Sequence, residues 1–281
     1  MTARYSPAID FAAVDAIDFH THVEIDGAGQ CAYDDELAEA TGRYFKLGPD
    51  YFARVDDLAE HYRKHNTAAV VFTIDAHTVS GHAPNSVEEL IEGAVRNSDV
   101  LIPFGSVDPW DGDAVRRVGE LARDYGVRGF KFHPSLQGFE PNDRRFYPIY
   151  EAIAAAGVPA LFHSGQTGLG SALPGGHGIK LRYSDPMLLD DVAADFPDLT
   201  VVMAHPRCRG STPRSPSPRT RPTSSSTSPA GHRNTSRPSL FRRLGASCAP
   251  RPCSAPTIPT SRWTAGGGIS RPLTSIPRWS R

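Results

Sequence analysis

The sequence has no run of about 18 apolar residues, and its first residues lack the charged and apolar segments of a secretory signal. We therefore expect neither a membrane span nor secretion, and predict a cytoplasmic protein. Only 4 cysteines occur among 281 residues, at Cys31, Cys208, Cys248 and Cys253. Neither their number nor their spacing suggests a disulfide framework or a zinc knuckle.

Acidic residues are absent from the last quarter of the chain. All 31 Asp and Glu residues lie in residues 1–206 with 16 of the Lys and Arg residues, whereas residues 207–281 contain 14 Arg and no acidic residue. Ser, Thr, Pro and Arg dominate residues 207–281, so this segment has too little apolar area to offset the entropy of ordering. We therefore predict a folded part, residues 1–206, and a disordered Arg/Ser/Pro-rich tail, residues 207–281.

Short β-branched or apolar runs alternate with amphipathic stretches in the folded part, which is typical of repeated βα units. The predicted strands are 14–20, 67–74, 100–106, 127–133, 158–163 and 199–205. The predicted helices are 52–65, 86–96, 112–125, 144–156 and 185–196. This order predicts an α/β protein with a parallel sheet, either doubly wound or a (β/α)₈ barrel without its last two units. The glycine-rich phosphate loop of dinucleotide-binding sheets is absent after the first strand.

Histidine stands at the carboxyl end of four predicted strands. His20 and His22 end the first strand, and residues two apart in an extended chain point the same way, so both imidazoles can share one metal. His133, His163 and His205 follow the fourth, fifth and sixth strands. Catalytic groups of parallel barrels lie on this face, whereas buried structural histidines have no reason to gather there. The pattern therefore predicts a metal-dependent active site.

These strand ends carry four family-like motifs. They are Asp18-Phe19-His20-Thr21-His22, Gly129-Phe130-Lys131-Phe132-His133-Pro134, Leu161-Phe162-His163-Ser164-Gly165-Gln166-Thr167-Gly168 and Val201-Val202-Met203-Ala204-His205-Pro206. Through them, residues 12–206 resemble the metal-dependent amidohydrolase superfamily, in particular its aminocarboxymuconate-semialdehyde decarboxylase-like branch. The resemblance implies a (β/α)₈ TIM barrel of the metallo-dependent hydrolase type, incomplete in this chain. Within the branch, the motifs are similar to those of hydrolases of hydroxyphenyl β-ketoacyl-CoA thioesters.

The resemblance also implies roles for individual histidines. His20, His22 and His163 would ligate one divalent metal, and neutral imidazole suits zinc. An open coordination position lets zinc lower the pKa of bound water to about 7. His205 would orient or deprotonate this water. The predicted catalytic residues are His205 and the metal ligand His163. The implied reaction is hydrolysis or non-oxidative decarboxylation, and both alternatives stay open.

Three further residues are predicted to bind the substrate, a small carboxylate or an aromatic β-ketoacyl-CoA thioester. Lys131 and His133 alternate along the fourth strand, so both can face the barrel mouth. For Lys131, a structural salt bridge is the alternative. Gln166 is the third residue and belongs to the fifth-strand motif. The net negative charge of residues 1–206 argues against a nucleic acid partner. We also expect no membrane partner. The resemblance allows a homo-oligomer for a full-length chain.

One departure from the family pattern concerns the metal site. The pattern ends its eighth strand in Gly-Ser/Thr-Asp-Tyr-Pro, whose Asp is a ligand, but this sequence has no acidic residue after Asp198. A frame displaced by two nucleotides allows Ser254–Pro259 to read Gly-Thr-Asp-Tyr-Pro, and the segment 208–231 to read as a helix and a strand. We therefore hypothesise that residues 207–281 are a frameshifted barrel C-terminus and that the literal chain is impaired.

A second hypothesis takes the tail as a basic disordered arm on a non-catalytic barrel fragment, binding RNA or an acidic partner. Its 14 Arg residues can neutralise phosphates. Against this hypothesis, the aromatic residues available for base stacking are limited to Phe241, Trp263 and Trp279. The tail also lacks Arg-Gly or Ser-Arg repeats.

Overall fold

The computed structural model describes residues 4–46, 53–171 and 173–205, so the predicted tail lies outside the described residues. Each predicted strand is present, with somewhat different bounds. The strands are β1 Ala16–His22, β2 Thr67–Phe72, β3 Leu101–Pro103, β4 Phe130–Phe132, β5 Ala160–Phe162 and β6 Val201–Met203. The strands after β2 are short, and the pairs β2–β3, β4–β5 and β5–β6 each extend over three residues.

The strands are parallel and follow each other in chain order. β1 pairs with β2 and β2 with β3, while β4 pairs with β5 and β5 with β6. Gly105, just after β3, forms a parallel bridge to Phe130 in β4. A doubly wound sheet reverses its strand order at a switch point, whereas a barrel keeps the chain order. The observed order confirms the barrel alternative, with β1–β6 as its first six strands.

Helices lie between the strands. They are α1 Asp35–Phe45, α2 Val55–Lys64, α3 His77–Ser80, α4 Val87–Arg96, α5 Ala114–Glu120, α6 Pro134–Gln137, α7 Tyr147–Ala155 and α8 Met187–Asp195. The five predicted helices correspond to α2, α4, α5, α7 and α8, and α5 continues as a π turn through Tyr125. Within the described ranges, no helix has the length and apolarity needed to cross a membrane.

The residues of the inner strand β2 are more buried than those of the outer strands β1 and β6. All six residues of β2 are buried between strands on either side and the helices that cover the sheet. At the outer strands, by contrast, Ile17, Phe19 and Met203 are 40%, 44% and 55% exposed. β1 and β6 would flank the seventh and eighth strands of a complete barrel. Within residues 4–205, as far as the structure describes them, β1 and β6 each pair with one neighbouring strand, and their exposed apolar side chains are what the first six strands of a barrel predict.

Candidate metal centre

The carboxyl end of β1 brings two imidazoles together. His20 Nε2 and His22 Nε2 lie 3.1 Å apart. Zinc–nitrogen bonds are about 2.0–2.1 Å long, so two nitrogens at this separation can both ligate one ion. The structure therefore agrees with the prediction that these residues point to the same side of the strand.

Tyr62 of α2 holds this strand end. Its hydroxyl donates to Asp18 Oδ2 at 2.7 Å and lies 2.8 Å from Thr21 Oγ1. Asp18 Oδ1 in turn accepts the backbone N–H of His20 at 2.9 Å. The strand register shifts between Asp18 and Thr21, so these bonds fix the backbone where it departs from regular pairing. Sequence reasoning did not identify Tyr62, whose partner Asp18 is 44 residues away.

The remaining strand ends bring three more histidines to the same region. The rings of His133 and His163 stack with centroids 3.9 Å apart and planes inclined by 7°. The His205 ring centroid lies 4.8 Å from that of His20 and 5.0 Å from that of His163. The structure thus gathers all five predicted strand-end histidines.

Lys131 of β4 also belongs to this cluster. Its side chain is fully buried, with Nζ 3.2 Å from His20 Nε2 and 5.0 Å from the Phe72 ring centroid. Burial lowers the pKa of Lys131 to about 7. Among the described residues no carboxylate lies within salt-bridge distance of Nζ. The salt-bridge alternative for Lys131 therefore finds no partner there.

Burial disfavours the protonated form of these imidazoles. It lowers the pKa of His22 to about 3 and that of His133 and His163 well below the ordinary value. Burial is likewise the largest cause lowering the pKa of His20 and His205. Neutral imidazole is the form that binds a metal ion.

The described residues fit a divalent metal in one further respect. His163 Nε2 is buried and has no hydrogen-bond partner in the described part of the chain, and the same holds for His20 Nδ1. A buried polar atom without a partner is costly, and metal ligation would satisfy the His163 nitrogen. The predicted ligand set therefore has the donor chemistry of a metal site.

Two buried side chains that sequence reasoning missed support the cluster. Ser164 Oγ donates to the backbone carbonyl of His205 at 2.7 Å and accepts its N–H at 3.3 Å. Gln137 Oε1 accepts the N–H of His133 at 2.8 Å. Both residues lie close to the motif histidines in sequence, which is the signal that could have found them. The predicted substrate residue Gln166 is exposed in the loop that follows β5.

A second polar cluster joins the loops after β2 and β3. The ligand atoms of Asp75, His77 and Asp108 lie within 4.8 Å of one another. Among the described residues no second group of three His, Cys, Asp or Glu side chains is as close, so the ligand nitrogens of His20, His22 and His163 are not all within this distance. His77 Nδ1 lies 2.8 Å from Asp75 Oδ1 and 3.4 Å from Asp108 Oδ2. Asp108 also accepts the N–H groups of Thr78 and Trp110 at 2.7 and 2.9 Å. Through these hydrogen bonds, the cluster links the loop after β2 to the loop after β3.

The chain matches a family model described as Amidohydrolase over residues 17–207. This match contains every predicted site residue, the strands β2 to β6 and all of β1 except Ala16. No curated protein matches the chain in sequence.

Several solved structures resemble the chain at low identity. 5-Carboxyvanillate decarboxylase from Sphingomonas paucimobilis is 14% identical, with 66% of each chain covered and a TM-score of 0.45. The same enzyme from Novosphingobium aromaticivorans, complexed with manganese, is 14% identical over 71% of this chain and 66% of that one, with a TM-score of 0.46. IDCase from Metarhizium anisopliae is 19% identical over 70% of this chain and 66% of that one, with a TM-score of 0.43. The chain thus spans just under two thirds of the length of these proteins.

Proposed function

The chain belongs to the amidohydrolase family, and from this premise we propose that it is a metal-dependent hydrolase or carboxy-lyase. Its proposed substrate is a small carboxylate or an aromatic β-ketoacyl-CoA thioester. The observation that carries the proposal is the 3.1 Å approach of His20 Nε2 and His22 Nε2, together with the buried, unpartnered Nε2 of His163.

His20, His22 and His163 would hold one divalent cation, and we propose zinc because neutral imidazoles are good zinc ligands. When bound, the cation would supply a Lewis acid for a substrate oxygen and lower the pKa of water. Burial keeps the three imidazoles neutral. They are therefore ready to ligate without first losing a proton.

His205 would orient the reacting water and accept a proton on a ring nitrogen. Ser164 donates one hydrogen bond to the backbone of His205 and accepts another from it, and these two bonds hold this backbone at the end of β6. Burial lowers the pKa of His205, so its imidazole is neutral before the reaction and keeps a ring nitrogen that carries no proton, although burial also makes it a weaker base than an exposed histidine. His163, whose ring centroid lies 5.0 Å from that of His205, would be the second catalytic residue.

Lys131 and His133 would bind the oxygen atoms of the substrate. Lys131 is fully buried and has no carboxylate within reach among the described residues, so an incoming carboxylate or carbonyl would provide an acceptor for its amine. His133 is also buried, and its ring is stacked on that of His163. Gln166 is exposed and would contact the substrate from the solvent side.

We further propose that the 281-residue chain is impaired by a frameshift near codon 207. The family match ends at residue 207, and no acidic residue follows that could complete the ligand set. Resequencing of codons 205–260 from fresh genomic DNA tests the proposal. We expect one additional nucleotide near codon 207. An unchanged reading would overturn the frameshift proposal and leave the chain with its Arg-rich tail.

An activity assay tests the proposed reaction. The frame-restored chain, loaded with zinc, is offered aromatic carboxylates and aromatic β-ketoacyl-CoA thioesters while CO₂ and free CoA are measured. We expect turnover of one class, and His205→Asn should lower kcat by about 10²–10⁴-fold because it removes a general base. The matched control His61→Asn changes a histidine of α2 outside the cluster and should keep full activity. Equal activity of His205→Asn and the parent would refute the assigned role.

A further inference from the structure

Gln137 links three loops at the carboxyl ends of the strands. Its Oε1 accepts the N–H of His133 at 2.8 Å, after β4. Its Nε2 donates to the carbonyl of Asp75 at 2.7 Å, after β2, and to the carbonyl of Val107 at 2.9 Å, after β3. The side chain is fully buried, so both amide hydrogens and the amide oxygen are used within the protein.

The one-turn helix α6, to which Gln137 belongs, determines which nitrogen of His133 carries the proton. His133 caps α6, and its Nδ1 accepts the backbone N–H of Leu136 at 3.2 Å. A nitrogen that accepts a hydrogen bond carries no proton, so a neutral His133 must carry its proton on Nε2. His133 therefore offers an N–H donor at the edge of the ring opposite Leu136, while its face is stacked on His163.

We propose that Gln137 is a positioning residue that holds α6 so that His133 presents an Nε2–H donor to a carboxylate or carbonyl oxygen of the substrate. This inference rests on the proposed function, because it deepens the role of His133 at the same site. Gln137 acts through the backbone of His133 and through the loops of Asp75 and Val107. Without its amide, the carbonyls of Asp75 and Val107 and the buried N–H of His133 lose their partner, and the one-turn helix α6 loses these side-chain bonds to the loops after β2 and β3.

Nitrogen-15 NMR of histidine-labelled full chain tests the proposal directly. A neutral imidazole in one tautomer gives widely separated signals for its donor and acceptor nitrogens, and the His133 signals are identified by their loss in His133→Asn. We expect this separation in the parent chain. In Gln137→Met, which has a similar shape and no amide, we expect the two signals to move toward each other as both tautomers become populated.

Ser135→Ala is the matched control, because it removes a buried hydrogen bond of the same helix, from Ser135 Oγ to Ser184 Oγ at 2.7 Å. It should lower the melting temperature and leave the His133 signals in place. If Gln137→Met does not fold, Gln137→Glu replaces it. A carboxyl group carries at most one proton and cannot donate to both carbonyls, so the His133 signals should still shift.

Two results would overturn the proposal. One is an unchanged pair of His133 signals in the folded Gln137 variant despite a lower melting temperature, which indicates a purely structural role. The other is a His133 in the parent chain with its proton on Nδ1. Metal binding by the parent chain is measured separately by elemental analysis, so a failure of the proposed function is distinguishable from a failure of this inference.

Discussion

Replacing Lys131 by methionine tests the electrostatics of the cluster. The side chain is fully buried, and burial lowers its pKa from 10.5 to about 7. Because one pKa unit corresponds to about 1.4 kcal/mol, burial of the protonated amine costs about 5 kcal/mol. Methionine has a similar length and no charge. Lys131→Met should therefore increase the free energy of unfolding at pH 7 by several kcal/mol, on the order of that cost.

The pH dependence gives the sign of the effect. The folded chain has the lower pKa for Lys131, so between pH 7 and about 10 the unfolded chain binds more protons. The stability of the parent chain should therefore rise with pH in this window, and the full cost applies below pH 7. In Lys131→Met this rise should be missing, so the two stabilities should converge toward pH 10.

Urea unfolding at several pH values between 7 and 10, with a chelator present, measures the difference. Lys64→Met is the matched control because it removes an exposed lysine of α2, which is paired with Glu60 at 2.7 Å. Its stability should follow the same pH slope as the parent. A Lys131→Met chain that is less stable than the parent at pH 7, or that shows the same slope, would refute the reasoning.

Two further predictions concern the supports of the cluster. Tyr62→Phe leaves Asp18 and Thr21 without their shared partner and should lower the free energy of unfolding by about 1–3 kcal/mol; an unchanged urea midpoint would show that water replaces the hydroxyl. Asp75→Asn should lower the pKa of His77, because its hydrogen bond to Asp75 is the largest cause that raises this pKa. An NMR titration of His77 measures the midpoint, and a midpoint equal to that of the parent would contradict the assignment.

Local sequence patterns predicted the strands and the gathering of histidines. The period of two in β1 and the position at a strand end place His20 and His22 without any knowledge of the rest of the fold. α1 was missed because its charged sequence buries only Leu37, Ala40 and Thr41, although Asp34 caps it by accepting the N–H of Leu37 at 2.9 Å.

The supports of the site depend on contacts that no local pattern encodes. Gln137 reaches Asp75 across 62 residues, and Ser164 reaches His205 across 41. A glutamine or a serine has no periodic signature, so its partners follow only from the way the strands stand side by side. The sequence therefore predicts which residues face the site more readily than which residues hold them there.

Metal content tests the central claim most directly. The 281-residue chain and the frame-restored chain are purified side by side, supplied with zinc, dialysed and measured by elemental analysis, with His22→Ala as the ligand variant and His61→Ala as its control. We predict about one ion per frame-restored chain, retained in His61→Ala and lost in His22→Ala, and clearly less in the 281-residue chain, which lacks an acidic ligand after residue 207. A full equivalent of zinc that survives His22→Ala, or no zinc in the frame-restored chain, would contradict the account.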